Sequence, residues 1–137
     1  MGCPRAGVVH PEGVASEVVS TVLHVFLDGR TGGPLVRVLS VANVLREEGW
    51  RFVMALPCGG DFKERLQQHG YDCCEIPISN PRRLSNVIGN LRWICGFPAV
   101  VWHLCRVIRR ERVSIVHLHG LMAIPAAAAA RLCRCRI

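Results

Sequence analysis

An apolar run that leads through a glycine-rich turn into an amphipathic helix constrains the fold of this chain more than any other feature. The run covers 22–27, the turn covers 28–33 and ends in Gly32 and Gly33, and the helix opens at Pro34. Continuous apolar residues are typical of a strand that is covered on both faces of a parallel sheet. Helical spacing marks one apolar face on the helix, formed by Leu35, Val38, Leu39, Ala42 and Leu45.

Strands and helices continue to alternate along the chain. Further strands are predicted over 52–56, 71–78 and 113–119, and helices over 61–70, 84–112 and 121–132. The strand at 71–78 is the more polar one and is expected near an edge of the sheet. Gly96-Phe97-Pro98 is expected to interrupt or kink the third helix. This order predicts an α/β fold, a partial Rossmann-like parallel sheet of strand order 3-2-1-4 with flanking helices.

The length of the chain allows one domain. Its 137 residues suffice for one core, and we expect 1–20 to be a flexible leader and 21–137 to be the folded domain. Glu12 and Glu17 interrupt any apolar segment of a secretory signal. The tail 131–137 stops where another strand should begin, which predicts a truncated domain with an unpaired sheet edge.

The composition excludes several classes of protein. Half of the residues are hydrophobic, which excludes a disordered chain, and the net charge is +7. Aromatic residues make up only 6% and do not interleave with the arginines, so we expect no nucleic-acid partner. The eight cysteines form no C-x-x-C pair, which favours reduced thiols in a cytoplasmic protein over a metal or disulfide framework.

The apolar stretch 93–108 has two interpretations. Its sixteen residues fall short of the roughly 20 that span a bilayer. It is predicted either to cover the sheet as a buried helix or to place a surface against a membrane, aided by the arginines at its end. The second interpretation would make the protein peripheral at the inner face of the membrane.

Two segments carry candidate binding residues. Glycines 32 and 33 allow a ligand to approach bare backbone, and the helix start beyond them offers free N–H groups to an anion. Their G-x-x-G-G spacing matches neither the dinucleotide fingerprint nor the P-loop, so a tight structural turn is the alternative. His117 and His119 alternate on a strand and project to one side. Because 113–120 offers no third ligand, we expect no metal there, and His117 is interpreted as a core or hydrogen-bonded residue.

The predicted topology brings these segments together. In the order 3-2-1-4 the first and fourth strands are neighbours, and ligands of open parallel sheets bind beyond the carboxyl ends of the strands. Gly32, Gly33 and His119 are therefore expected to converge.

These motifs resemble the amino-terminal domain of family 4 retaining glycosyltransferases. The resemblance rests on 27–34, the helix through 42–49 and the segment 115–120, and extends over roughly residues 21–133. It implies one half of a GT-B fold, with a nucleotide-sugar as co-substrate, no cofactor, and a saccharide or lipid-linked acceptor. It also implies that Gly32 and Gly33 approach the donor diphosphate and that His119 lies near the transferred sugar. His117 matches the first histidine of the motif, and no catalytic residue is assigned.

The chain departs from that family in one respect. It contains neither the donor-binding domain nor the two glutamates of that domain, separated by seven residues. We therefore expect no activity from this chain alone. The alternatives are a noncatalytic α/β fragment or partner subunit that needs a separate donor-binding chain, and a gene fragment with no independent role.

Overall fold

The computed structural model describes residues 20–27, 33–58, 62–78, 87–120 and 123–137. Its four strands are β1 (Ser20–Phe26), β2 (Trp50–Pro57), β3 (Asp72–Ile76) and β4 (Ile115–His119). Its four helices are α1 (Gly33–Glu47), α2 (Phe62–Gln68), α3 (Val87–Arg110) and α4 (Ile124–Leu132). Gly32 and nearly all of the predicted leader lie outside the described residues.

The strands form one parallel sheet of order β3-β2-β1-β4. The predicted order 3-2-1-4 is confirmed, and the polar strand β3 lies at an edge as predicted. In the pairing of β1 with β4, His24 is the partner of His117 and Phe26 is the partner of His119. Since β1 and β4 are parallel neighbours, their carboxyl ends meet at the same edge of the sheet.

Helices cover both faces of the sheet, which makes three layers. Leu23 and Val25 point to one face and pack in a buried cluster with residues of α3 and α4. Val22 and Phe26 point to the other face and pack with residues of α1 and α2. Since side chains alternate along a strand, His24 shares the face of Val22 and Phe26.

Helix α3 runs without interruption through Pro98. The predicted interruption at Gly96-Phe97-Pro98 is therefore wrong, and the alternative of a kink stays a prediction. Pro98 lies on the exposed side of the helix, so water can hydrate the carbonyl of Ile94 that its missing N–H would have bonded. On the opposite side, buried residues anchor the helix to the sheet: Val100, Leu104, Val107 and Ile108.

The end of the chain lies beside β4. The amide of Val116 donates to the carbonyl of Arg136 at 2.8 Å, and the amide of Arg136 donates to the carbonyl of Ser114 at 3.1 Å. These bonds form a single parallel bridge between Ile115 and Arg136. The bridge is at the place where the sequence predicts that a further strand begins.

Candidate functional site

Three histidines meet on one face of the sheet. His24 is paired with His117 across the β1–β4 ladder, and His119 lies two residues further along β4. The ring centroids are 4.9 Å apart for His24 and His117, 4.4 Å for His117 and His119, and 5.2 Å for His24 and His119. Each ring offers one nitrogen, and these three nitrogens lie within 4.8 Å of one another. We call this group the histidine cluster.

Aromatic packing and one hydrogen bond fix the inner part of the cluster. Nδ1 of His24 and Nε2 of His119 are 2.9 Å apart, so the N–H on one nitrogen donates to the lone pair of the other. The ring of Phe26 stacks on His119 with a centroid distance of 4.3 Å. Phe52 lies against His24 at 5.6 Å. These contacts hold the two imidazoles in one orientation.

Burial keeps the inner imidazoles neutral. Burial, followed by the effects of the neighbouring His117 and His119, lowers the pKa of His24 to about 3. Burial, followed by the effect of His117, lowers the pKa of His119 to about 4. At neutral pH each ring therefore has one N–H, which can donate a hydrogen bond, and one lone pair, which can accept one or bind a metal ion.

Exposure increases outward through the cluster. His24 is buried, His119 is partly exposed, and His117 is exposed. A small molecule or ion can therefore reach the cluster from the β4 side without displacing the core.

Gly33 lies beyond the same edge of the sheet. It is the first residue of α1, seven positions after Phe26, the β1 residue that is paired with His119. Among the described residues, nothing lies within 4 Å of a Cβ added to Gly33, and its φ is outside the left-handed region. Neither this backbone conformation nor the described packing requires glycine at this position. The first turn of α1 contains no acidic residue, and its N–H groups, which Pro34 lacks, have no partners within the helix, so the turn is suited to an anion.

The structure brings His117 and His119 together and adds His24, which the sequence analysis missed. The sequence pattern includes His24 in an apolar strand. The signal in the sequence is a single polar residue in the run 22–27. Its even spacing from Val22 and Phe26 places it on the same side of the strand as those two residues. The expectation of no metal depended on the segment 113–120 alone, and the third nitrogen donor comes from another strand.

The chain shares its fold with three solved structures. MurG from Acinetobacter baumannii matches 82% of this chain at 20% identity and a TM-score of 0.62. A glycosyltransferase from Rickettsia africae matches 85% at 19% identity and a TM-score of 0.64. Anabaena Alr3699/HepE, solved in complex with UDP and glucose, matches 85% at 18% identity and a TM-score of 0.58. The chain spans 32%, 28% and 28% of the lengths of these three proteins.

The match confirms the predicted fold, a parallel sheet of order 3-2-1-4 of the kind found in one half of a GT-B glycosyltransferase. No significant match exists among curated proteins. Residues 32–137 match the sequence profile of the glycosyl transferase 4-like domain. That match covers more than half of the chain, and the protein therefore belongs to the glycosyl transferase 4-like domain family.

Proposed function

We propose that this chain forms the acceptor-side part of a glycosyltransferase that transfers a hexose from a nucleotide-sugar to a saccharide or lipid-linked acceptor. The observation that carries the proposal is the position of His119. Its neutral ring is held flat against Phe26 at the carboxyl end of β4, at the edge of the sheet where α1 begins. The complex of the related HepE with UDP and glucose supports this class of ligand.

The two ring nitrogens of His119 have different roles: one is hydrogen-bonded within the protein, and the other is available to a ligand. Nε2 faces His24, so Nδ1 is the atom that remains for a hydroxyl group of the sugar. A neutral ring can donate or accept that bond without introducing a charge. We infer that His119 orients the sugar, with His24 as its positioning residue.

The start of α1 is the proposed contact for the diphosphate. Helix α1 has 15 residues, and the first N–H groups, which come from residues other than Pro34, have no partners within the helix. Gly32 and Gly33 would let the phosphates approach those amides closely. The amides alone stabilise little of the charge on a leaving diphosphate, so we expect catalysis only together with a donor-binding part.

Ligand titration followed by NMR tests this proposal. UDP-glucose, added with a chelator present, is expected to shift the signals of the His119 ring and the Gly33 amide. His119→Gln is expected to weaken binding about fivefold, the equivalent of one hydrogen bond. His69→Gln is the matched control, since His69 is exposed and outside the cluster. Equal affinity in His119→Gln and the control would contradict the proposal.

A transfer assay tests whether activity requires a separate donor-binding domain. Hexose transfer to a saccharide acceptor is expected only when the chain is mixed with a donor-binding domain. Transfer by the chain alone would refute the need for that domain. If the mixture also fails to transfer while UDP-glucose still shifts His119, the noncatalytic binding role is favoured.

We further propose that α3 contacts the surface of an anionic membrane. Its outward side carries large exposed apolar residues at helical spacing: Ile88, Leu91, Ile94 and Trp102. Ile88 is 82% exposed and Trp102 is 63% exposed. Such a face, on a helix whose other face is in the core, is suited to the interfacial region of a bilayer.

The carboxyl end of α3 adds positive charge to this face. The guanidinium of Arg106 lies over the Trp102 ring, 5.5 Å from its centroid. Cation–π contacts reach to about 6 Å. Trp102, Cys105, Arg106 and Arg109 line a surface groove. Each arginine near an anionic bilayer contributes about 1 kcal/mol to binding.

Helix α3 lies on the membrane in this proposal and does not cross it. The segment Ile88–Arg110 is long and apolar enough to span a bilayer by length and composition. However, Val100, Leu104, Val107 and Ile108 pack against the sheet, and spanning would expose the core they cover. The eight cysteines of the sequence form no C-x-x-C pair, which supports a cytoplasmic location, at the inner face of the membrane.

Vesicle co-sedimentation tests the membrane proposal. The chain is expected to bind vesicles that contain phosphatidylglycerol and to bind phosphatidylcholine vesicles weakly. Leu91→Ser is expected to reduce binding severalfold. Val44→Ser is the matched control, because Val44 is exposed to the same extent, 60%, on helix α1. An equal loss of vesicle binding in both variants would contradict the proposal, and so would binding that does not depend on the charge of the lipid.

A further inference from the structure

We propose that the histidine cluster binds one first-row transition-metal cation, Zn²⁺ first among them. His24, His117 and His119 each direct one ring nitrogen to a common region, with all three nitrogens within 4.8 Å of one another. The ligands come from two adjacent strands, and hydrogen bonding between these strands fixes their spacing. The inference is independent of the proposed glycosyltransferase function.

The distance between the two inner nitrogens suits zinc with a small adjustment. Zinc binds imidazole nitrogen at about 2.0–2.1 Å, which places two nitrogens of a tetrahedral site about 3.3 Å apart. Nδ1 of His24 and Nε2 of His119 are now 2.9 Å apart, so they need to separate by only a few tenths of an ångström. His117 is exposed, and its ring is therefore free to turn towards a cation.

The two inner rings are preorganised in the way that a ligand requires. Phe26 stacks on His119, and Phe52 lies against His24. The nitrogens that face each other now share one N–H between them. Tautomeric movement of that proton to the outer nitrogen of the same ring leaves two lone pairs directed at the cation.

The donor set determines which ions can bind. Three imidazoles favour Zn²⁺, Co²⁺, Ni²⁺ and Cu²⁺ over Mg²⁺ and Ca²⁺, which prefer oxygen ligands. Three protein ligands leave one tetrahedral position for water or substrate, as in catalytic zinc sites and unlike the four-ligand structural sites. His117 provides the entry path on the exposed side of β4.

Metal titration with X-ray absorption spectroscopy tests the inference. The purified 137-residue chain, freed of metal by chelation, is expected to take up one Zn²⁺. The zinc spectrum is expected to show nitrogen at about 2.0–2.1 Å and no sulfur at about 2.3 Å. This second measurement separates the cluster from the cysteine thiols, which are the rival ligands.

Variants locate the site. His117→Ala is expected to weaken zinc binding at least tenfold, because loss of even an outer-shell partner lowers metal affinity about 10–100-fold. His117 is exposed, so the change does not disturb the core. His69→Ala and His103→Ala are matched controls on other elements and are expected to leave affinity unchanged.

Three outcomes would overturn the inference: no saturable uptake of zinc, sulfur ligation in the spectrum, or equal affinity in His117→Ala and the controls. The UDP-glucose titration is made with a chelator present, so its result does not depend on the metal. A chain that binds zinc and no UDP-glucose would refute the proposed function and support the metal site, and the reverse result would do the opposite.

Discussion

The imidazole of His119 lies parallel to the phenyl ring of Phe26, with the ring planes 2° apart and the centroids separated by 4.3 Å. The two residues are register partners on neighbouring strands, so the backbone ladder brings the rings together. Offset or stacked aromatic pairs contribute about 0.5–1.5 kcal/mol beyond the area they bury. Phe26 therefore acts as a support that fixes the plane of His119.

Removing the Phe26 ring should loosen His119. Phe26→Leu keeps an apolar side chain, but we expect UDP-glucose affinity to fall about three- to tenfold, in line with the energy of one aromatic pair. Phe62→Leu is the matched control, because Phe62 contacts the edge of the Phe26 ring at 5.2 Å in the same buried cluster. Calorimetric titration measures both variants. Equal affinity losses would show that general loosening of the core, and not the stacked ring, is responsible.

The stability of the metal-free chain should fall in acid. Burial holds the pKa of His24 at about 3 and that of His119 at about 4, below the ordinary 6.5. Below pH 6.5 the unfolded chain therefore binds protons that the folded chain does not, and the stabilisation present above pH 6.5 is lost as the pH falls towards 4. For His24 the loss reaches about 1.4 kcal/mol per pH unit.

Urea denaturation with a chelator, at intervals between pH 7 and pH 4, measures this dependence. The free energy of unfolding of His24→Leu is expected to depend less steeply on pH. The difference is the equivalent of up to one proton, because leucine takes up none in the unfolded chain. A slope that His24→Leu leaves unchanged would show that His24 does not contribute.

Gly33→Ala should separate ligand binding from stability. The space that the described residues leave around Gly33, together with its ordinary φ, predicts that alanine stabilises the fold by about 0.4–1 kcal/mol. Affinity for UDP-glucose is expected to fall, because the new methyl group stands between the amides of α1 and the diphosphate. Gly96→Ala is the matched control, since Gly96 also has nothing within 4 Å and lies on α3. Unaltered affinity in Gly33→Ala would argue that the glycine belongs to a structural turn.

Gly120→Ala should destabilise the end of β4. Gly120 has a φ of +113°, and a Cβ there would lie 3.4 Å from Cδ1 of Leu27. We expect the free energy of unfolding to fall by about 1–3 kcal/mol. Gly70→Ala is the comparison, because its φ of +72° is in the left-handed helical region that other residues enter at about 1–2 kcal/mol. A smaller loss at Gly120 than at Gly70 would contradict this account.

The sequence was sufficient to predict the sheet but not the full cluster. The alternation of strands and helices indicated a parallel doubly wound sheet, and the commonest order of such sheets is 3-2-1-4. The polar composition of β3 placed it at the edge. The part that His24 plays in the cluster was missed because its neighbours along the strand are apolar. Only the pairing of β1 with β4 places it next to His117. Residue type and spacing within one segment do not report contacts across 93 positions, the separation of His24 and His117.

The continuity of α3 could not be predicted for a different reason. Proline breaks a helix where the freed carbonyl would be buried, and the sequence alone does not reveal which side of α3 meets water. Pro98 lies on the outer side, whereas Val100 and Leu104 hold the next turns against the sheet. Tertiary packing therefore outweighed the local preference.

Because the three imidazoles lie on strands, changes in loop length and changes in strand register should affect them differently. Ladder hydrogen bonds, and not loop conformation, set the separation of the rings. Turns on either side can lengthen or shorten without moving them. A slip of β4 by a single residue would instead turn His117 and His119 to the opposite face, away from His24, and abolish the whole constellation at once.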